Sequence, residues 1–226
     1  MKLSHTDMDR HGFVEARLRE MIPGKATRIF NVGAGWNTVA ATIAEIGPDT
    51  AYRAFDKFPK ADDITELDII HDRLPEGDAD IFLLMDCIEH LWSPEAAIRN
   101  IAVAMREGGT LLMTCPNPHW SKGRLHFLTS GSIPCFTKRD LDSNHHVFTT
   151  WHHILIALVE RNGFSVTEQV TLESKLEKPA RMMSLSYPAR LAGYLAARRI
   201  EKRDPSSIGM SYAFVARRTA EPVSGV

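Results

Sequence analysis

The first half of the chain alternates between amphipathic stretches and short apolar runs. Across 10–22, Phe13, Val14, Leu18, Met21 and Ile22 fall roughly on one face of a helix, which Pro23-Gly24 stops. Residues 28–32 read as a buried strand running into Gly33-Ala34-Gly35. The spacing then predicts a helix over 37–46 closed by Gly47-Pro48, a strand over 50–55 ending at Asp56, and a weaker strand near 67–70. A clear apolar strand follows over 81–85. Next comes a helix over 94–106, with Pro94 in its first turn and Gly108-Gly109 beyond its end, and then a strand over 110–114. Strands alternating with helices at this spacing imply a parallel sheet covered on both faces. Such sheets bind ligands at the carboxyl ends of their strands, where this sequence has Gly33, Gly35, Asp56, Asp68, Asp86, Glu89 and Asn117.

Beyond Pro118 the pattern breaks. Residues 118–148 are rich in Pro, Gly, Ser and His and read as a long connection, a kind of segment that is usually functional or disordered. A helix resumes over 149–162 through Ile154, Leu155, Leu158 and Val159, with Thr149 or Thr150 as its N-cap and Gly163 as its stop. A strand over 164–172, a helical stretch over 186–203 and a strand over 209–217 end the series. The last strand is expected to close the sheet antiparallel to its neighbours.

At 226 residues and 44% hydrophobic, the chain is long enough to bury a core without staples, and it reads as one domain over 1–226. Lys and Arg number 27 against 28 Asp and Glu, so overall charge gives no footprint for nucleic acid. No run of about 18 apolar residues is present. The opening MKLSHTDMDRHGF lacks an apolar signal core, so a cytoplasmic protein is expected. Cys87, Cys115 and Cys135, odd in number and without CxxC spacing, read as reduced thiols.

A glycine turn at a strand end lets backbone N–H groups approach a ligand closely. Position 38, where a dinucleotide fingerprint has its third glycine, is Thr38, which argues against a nicotinamide oxidoreductase. Asp56, 21 residues past Gly35 at the end of the second strand, is placed to accept from ribose hydroxyls. Taken with Leu67-Asp68-Ile69, Leu74-Pro75, Ala79-Asp80-Ile81, the run 86–91 (Asp-Cys-Ile-Glu-His-Leu), 105–111 and Cys115-Pro116-Asn117, the chain resembles the class I S-adenosylmethionine-dependent methyltransferases. The likeness is to the broad group that holds ubiquinone-biosynthesis and small-molecule or glycan O-methyltransferases. It spans roughly 10–172 plus the last strand.

The resemblance implies an α/β fold: a Rossmann-like, seven-stranded, mostly parallel sheet with an antiparallel last strand. It implies S-adenosylmethionine as cofactor, with Gly33 and Gly35 along its methionyl part and Asp56 on the ribose. Asp68 and the Ile69 backbone would lie by the adenine, and Asp86 near the sulfonium and amino group. Asn31, the seventh expected cofactor residue, stands where the family usually has an acid supporting the methionyl ammonium, and Trp36-Asn37 replace a small, glycine-containing stretch.

Six of the ten histidines lie in 119–153: His119, His126, His145, His146, His152 and His153. The run 144–149 (Asn-His-His-Val-Phe-Thr) before a helix resembles the segment that small-molecule and sugar methyltransferases place over the acceptor. Asn117, Arg124 and Gly131 also match that branch. Methyl transfer to an alcohol needs positioning and a base, and histidine titrates near neutrality. His145, His146 and His90 are therefore the candidate bases, and Asn117, Arg124 and His126 the candidate acceptor contacts. The alternative is that the histidines pack or cap structure. Without an HxxxH or HExxH pattern, no metal site is expected.

The acceptor side gains inserts at about 118–148 and 175–204. The latter holds eight Lys or Arg against three acids, a local charge of +5, with Leu191, Tyr194 and Leu195 at helical spacing and Met182, Met183 and Leu185 just before. It reads as a lid or dimer contact, as a peripheral contact with an anionic inner-membrane face, or as a site for an anionic acceptor. The expected function is O-methylation of a small-molecule or saccharide hydroxyl, with no nucleic-acid partner. A phenol or quinone precursor is the alternative acceptor, and a non-catalytic S-adenosylmethionine-binding protein the more distant alternative.

Overall fold

The computed structural model describes residues 1–23, 26–75, 79–180 and 186–219. Gly24 of the expected helix stop, and Arg181, Met182, Met183 and Leu185 of the basic segment, lie outside the described residues. Strands β1 (Lys2–His5), β2 (Arg28–Val32), β3 (Ala51–Asp56), β4 (Ile64–Glu66), β5 (Ala79–Met85), β6 (Met105–Pro116), β7 (Phe164–Leu172) and β8 (Ser211–Arg218) form one sheet in the order β1-β7-β8-β6-β5-β2-β3-β4. β8 pairs antiparallel with both β6 and β7, and the other pairings are parallel.

Alternation along the central strands sorts their side chains onto two faces. Phe30 and Val32 of β2, Phe82 and Leu84 of β5, and Leu111 and Met113 of β6 enter one apolar cluster, together with Ile98 and Ile101 of α3 (Pro94–Ala104) and Leu155 and Val159 of α6 (His152–Arg161). Ile29, Ile81, Leu83 and Leu112 point the other way. They pack on Phe13, Val14 and Leu18 of α1 (Arg10–Met21) and on Ile43 of α2 (Ala40–Ile46). Each face needs its own helical cover, which gives the expected three-layer arrangement.

Several boundaries differ from expectation. The sheet has eight strands, because Lys2–His5 adds parallel to β7. This edge strand has no apolar alternation; Ser4 Oγ donates to Glu168 Oε1 at 3.0 Å, and His5 Nδ1 lies 2.8 Å from Thr171 Oγ1. The weak third strand falls at Ile64–Glu66, and 67–70 is the loop that follows it. Helix α3 stops at Ala104. Met105 already pairs with Ala79, and the register then shifts so that Thr110 meets Ile81. The 118–148 connection contains α4 (Ser121–Ser130) and α5 (Lys138–Asn144), the latter opened by a capping box between Thr137 and Asp140. Neither Thr149 nor Thr150 caps α6. Trp151 holds that position, and the buried Thr150 hydroxyl donates to the Pro116 carbonyl at 2.6 Å. The basic helix is α7 (Tyr187–Arg203), in which only Ala197 is buried.

The strand order reverses between β2 and β5. That switch point, at the carboxyl edge, is where a ligand crevice forms in sheets of this kind.

Candidate active site

A cleft of about 590 Å³ opens at the switch point. Gly33, Gly35, Asp56, Asp68, Ile69 and Asp86 all line it, so six of the seven expected cofactor residues converge. Gly33 has φ +70° and Gly35 φ +57°, values that glycine adopts without strain. A Cβ on Gly33 would stand 2.6 Å from Cys87 Sγ, whereas one on Gly35 would meet nothing within 4 Å. The Gly33 side of the turn is packed shut, and the Gly35 side is an open cradle. Asp56 ties the turn to the end of β3: its Oδ2 accepts from the Gly35 amide at 2.9 Å and its Oδ1 from the Phe58 amide at 2.8 Å.

The seventh residue, Asn31, lies beneath the turn and off the cleft lining. It is buried, and its amide donates to Tyr52 Oη at 2.9 Å. Tyr52 Oη donates to Asn37 Oδ1, and Asn37 Nδ2 donates to Asp63 at 2.6 Å. The two departures at Asn31 and Asn37 are thus one polar chain bridged by Tyr52. Burial pushes the Tyr52 phenol up to about 12, so it remains a donor. Trp36 is 71% exposed and leaves the cleft open.

Asp86 sits at φ +46°. It accepts from Thr114 Oγ1 at 3.1 Å and pairs with Arg10 at 3.0 Å. Arg10, on the first turn of α1, was not legible as a site residue. Against the cost of its burial, Asp86 and Glu173 raise its guanidinium pKa. Asp68 meets Lys57 at 2.8 Å and His71 at 3.0 Å. Against the upward push of burial, these bonds hold its carboxyl well below the usual range.

Two of the three candidate bases, His90 and His145, line the cleft, and the third, His146, packs on His90. A short 3-10 turn (Ile88–His90) follows β5, and its Glu89 carbonyl accepts from the Val147 and Phe148 amides at 2.9 and 3.0 Å. These bonds fasten the 145–148 run over the cleft, which His90, His145 and Val147 line. The His90 and His146 rings stand 4.8 Å apart, edge to face. His146 Nδ1 lies 2.6 Å from the Cys135 carbonyl. A carbonyl only accepts, so Nδ1 carries the proton and Nε2 is the basic nitrogen. His145, at φ +56°, is the exposed left-handed cap of α5. Glu89 is 1% exposed, its Oε2 has no partner among the described residues, and burial followed by the Asp86 charge pushes its carboxyl up to about 8. Glu89, His90 and His146 each bring one ligand-type atom within 4.8 Å of the others, a set able to share protons or to hold a cation.

The expected acceptor contacts do not line this cleft. Asn117 is buried: its amide donates to the Ser206 and Gly209 carbonyls at 3.0 and 2.9 Å, and its Oδ1 accepts from the His119 amide at 2.8 Å. Arg124 pairs with Asp204, and His126 is exposed on α4. The three cysteines are free thiols. No described helix is long and apolar enough to cross a membrane.

A methyltransferase-domain family model matches residues 8–173, and the chain belongs to that family. It is an S-adenosylmethionine-dependent methyltransferase. Its fold is similar to that of an S-adenosylmethionine-dependent methyltransferase from Archaeoglobus fulgidus, at 20% identity and TM-score 0.62, over 92% of this chain and 94% of that one. It is also similar to the [4+2]-cyclase SpnF, at 16% identity and TM-score 0.57, over 94% and 82% of the two chains. A third likeness is to a Haemonchus contortus phosphoethanolamine N-methyltransferase in complex with S-adenosyl-L-methionine. There the identity is 12% and the TM-score 0.53, over 92% of this chain and 52% of that one. A search of curated proteins returned no match.

The residues present fit the cofactor. The open Gly35 cradle, the Asp56 carboxylate at the β3 end and the Asp68–Ile69 loop face one cleft, in the order in which a methionyl chain, a ribose and an adenine would follow.

Proposed function

We propose that the chain methylates a hydroxyl of a small-molecule or saccharide acceptor held between the cofactor cleft and the 145–148 run. The observation that carries this reading is that His90 and His145 line the same cleft as the glycine turn, with the His146 ring packed edge to face on His90. S-adenosylmethionine supplies, when bound, an electrophilic methyl group on a cationic sulfur. The chain's task is to hold the acceptor oxygen in line and to take its proton, which His90 at the cleft receives and passes to His146, whose Nε2 is the basic nitrogen. His90 lies between His146 and the cleft. Burial and the neighbouring His146 lower its pKa, so it is neutral and able to relay the proton. Glu89, beside both rings, is a further proton store close to neutrality.

A second reading takes an anionic, apolar acceptor such as a phenol or quinone precursor near a membrane surface. It is favoured by a groove of about 530 Å³ between α4 and α7, where Lys122, Lys178 and Arg190 surround Leu125, Leu176 and Tyr194. A non-methylating use of the same cleft is the third outcome.

The experiment is to incubate the protein and labelled S-adenosylmethionine with extracts of its host and to identify the product by mass spectrometry. An alkali-stable methyl ether on a hydroxylated compound supports the proposal. A methylated amine or carboxylate overturns it, and bound cofactor with no product points to the third outcome.

A further inference from the structure

A second group of histidines stands outside the cofactor cleft. His119 follows β6, and His152 and His153 open α6. One ligand-type nitrogen from each lies within 4.8 Å of the others. His119 meets His152 edge to face at 4.6 Å, and His152 meets His153 at 5.5 Å.

Neighbouring groups orient two of the rings. Tyr212 Oη donates to the Ser206 carbonyl at 3.2 Å and lies 3.4 Å from His152 Nδ1. With its own proton committed to a carbonyl, Tyr212 Oη accepts from His152 Nδ1–H, which leaves the Nε2 lone pair free. His119 Nδ1 lies 2.9 Å from Arg124 and 3.9 Å from Asp204 Oδ2, the carboxylate that pairs with Arg124. A ligated His119 therefore has a carboxylate beside Nδ1–H, as metal-bound imidazoles usually do.

We propose that His119, His152 and His153 bind a first-row divalent transition-metal ion of the zinc type. Tetrahedral ligation at zinc–nitrogen distances near 2.0–2.1 Å places ligand nitrogens about 3.4 Å apart. The present spacing closes by rotation of the exposed His153 side chain. Three imidazoles select zinc, cobalt or nickel over magnesium or calcium, which take oxygen ligands. On binding, His119 Nδ1 changes from acceptor of Arg124 to donor toward Asp204, and the exposure of His153 leaves the fourth position open to water.

The test is a titration of the full chain with Co²⁺, read by visible absorption and stoichiometry with Zn²⁺ as competitor. The expected result is one four- or five-coordinate ion per chain, displaced by Zn²⁺. It is lost in His153→Ala, whose unfolding midpoint and cofactor affinity match the parent, and it is kept in His146→Ala. Asp204→Asn is expected to weaken binding by about 10–100-fold. Binding that survives His153→Ala, binding lost in His146→Ala in its place, or no saturable binding overturns the proposal.

Discussion

Asp56 Oδ2 accepts the Gly35 amide proton at 2.9 Å, so the end of β3 holds the glycine turn that follows β2. The carboxylate both fixes the cradle and keeps lone pairs facing the cleft. Asp56→Ala is expected to weaken cofactor binding by about 1–3 kcal/mol, the cost of leaving a hydrogen-bond set unmade. Calorimetry of S-adenosylhomocysteine binding measures this directly. An unchanged affinity would reassign Asp56 to a purely structural role.

The two glycines of that turn are expected to differ. Both have positive φ, so alanine at either site costs about 1–2 kcal/mol of backbone strain. At Gly33 the added carbon also meets Cys87 Sγ at 2.6 Å and Cys87 Cβ at 2.8 Å, which adds about 1–3 kcal/mol of overpacking. Chemical denaturation without cofactor should therefore rank Gly33→Ala well below Gly35→Ala. Equal losses would mean that Cys87 yields freely.

Periodicity placed the central strands and their covering helices because those elements bury one stripe or alternate faces. Gly33, Gly35, Asp56 and Asp86 were legible as residues that meet in one cleft for the same reason: strand ends fix where side chains meet. Lys2–His5 was not, since its edge pairing rests on backbone bonds and polar side chains. Arg10 was not legible as the partner of Asp86, because 76 positions separate them and only the packing of α1 on the sheet joins them. Asn117 looked like a strand-end ligand, but its amide satisfies backbone carbonyls of the β8 approach. Sequence spacing does not say which polar groups a loop must bury.

The two adjacent histidines are expected to behave differently. His146 has Nδ1 fixed by the Cys135 carbonyl, whereas His145 is an exposed helix cap in a left-handed conformation. With the acceptor found by mass spectrometry, His146→Ala should slow methyl transfer by about 10²-fold or more while cofactor affinity is unchanged. His145→Gly, which suits the positive φ, should retain most turnover. The reverse ranking would make His145 the base.

Glu89 gives a pH signature. Its carboxyl is raised to about 8 in the folded chain, first by burial and then by Asp86, against an ordinary value of 4.5. Between those values the folded state holds a proton that the unfolded state has lost, so stability falls as pH rises from about 4.5 to about 8 and levels off above. Glu89→Gln keeps the shape and removes the titration. Its advantage over the parent should grow across that window to the order of a few kcal/mol. Denaturation midpoints for both proteins at pH 5, 6.5 and 8 measure this, and parallel curves would show that Glu89 ionises normally.

The groove between α4 and α7 separates the two acceptor readings. Lys178 and Arg190 stand at its rim, and Phe127, Leu128 and Leu195 are exposed on the same two helices. A basic residue near an anionic bilayer contributes about 1 kcal/mol, screened by salt within a Debye length. If the acceptor is membrane-associated, the protein should sediment with phosphatidylglycerol vesicles at low salt and not with phosphatidylcholine alone. Lys178→Glu with Arg190→Glu should then lower the partition by about 30-fold or more. Because neither residue lines the cofactor cleft, S-adenosylhomocysteine affinity should be unchanged in that variant. Absence of binding to either vesicle removes the support for the membrane reading and leaves a freely diffusing hydroxylated acceptor.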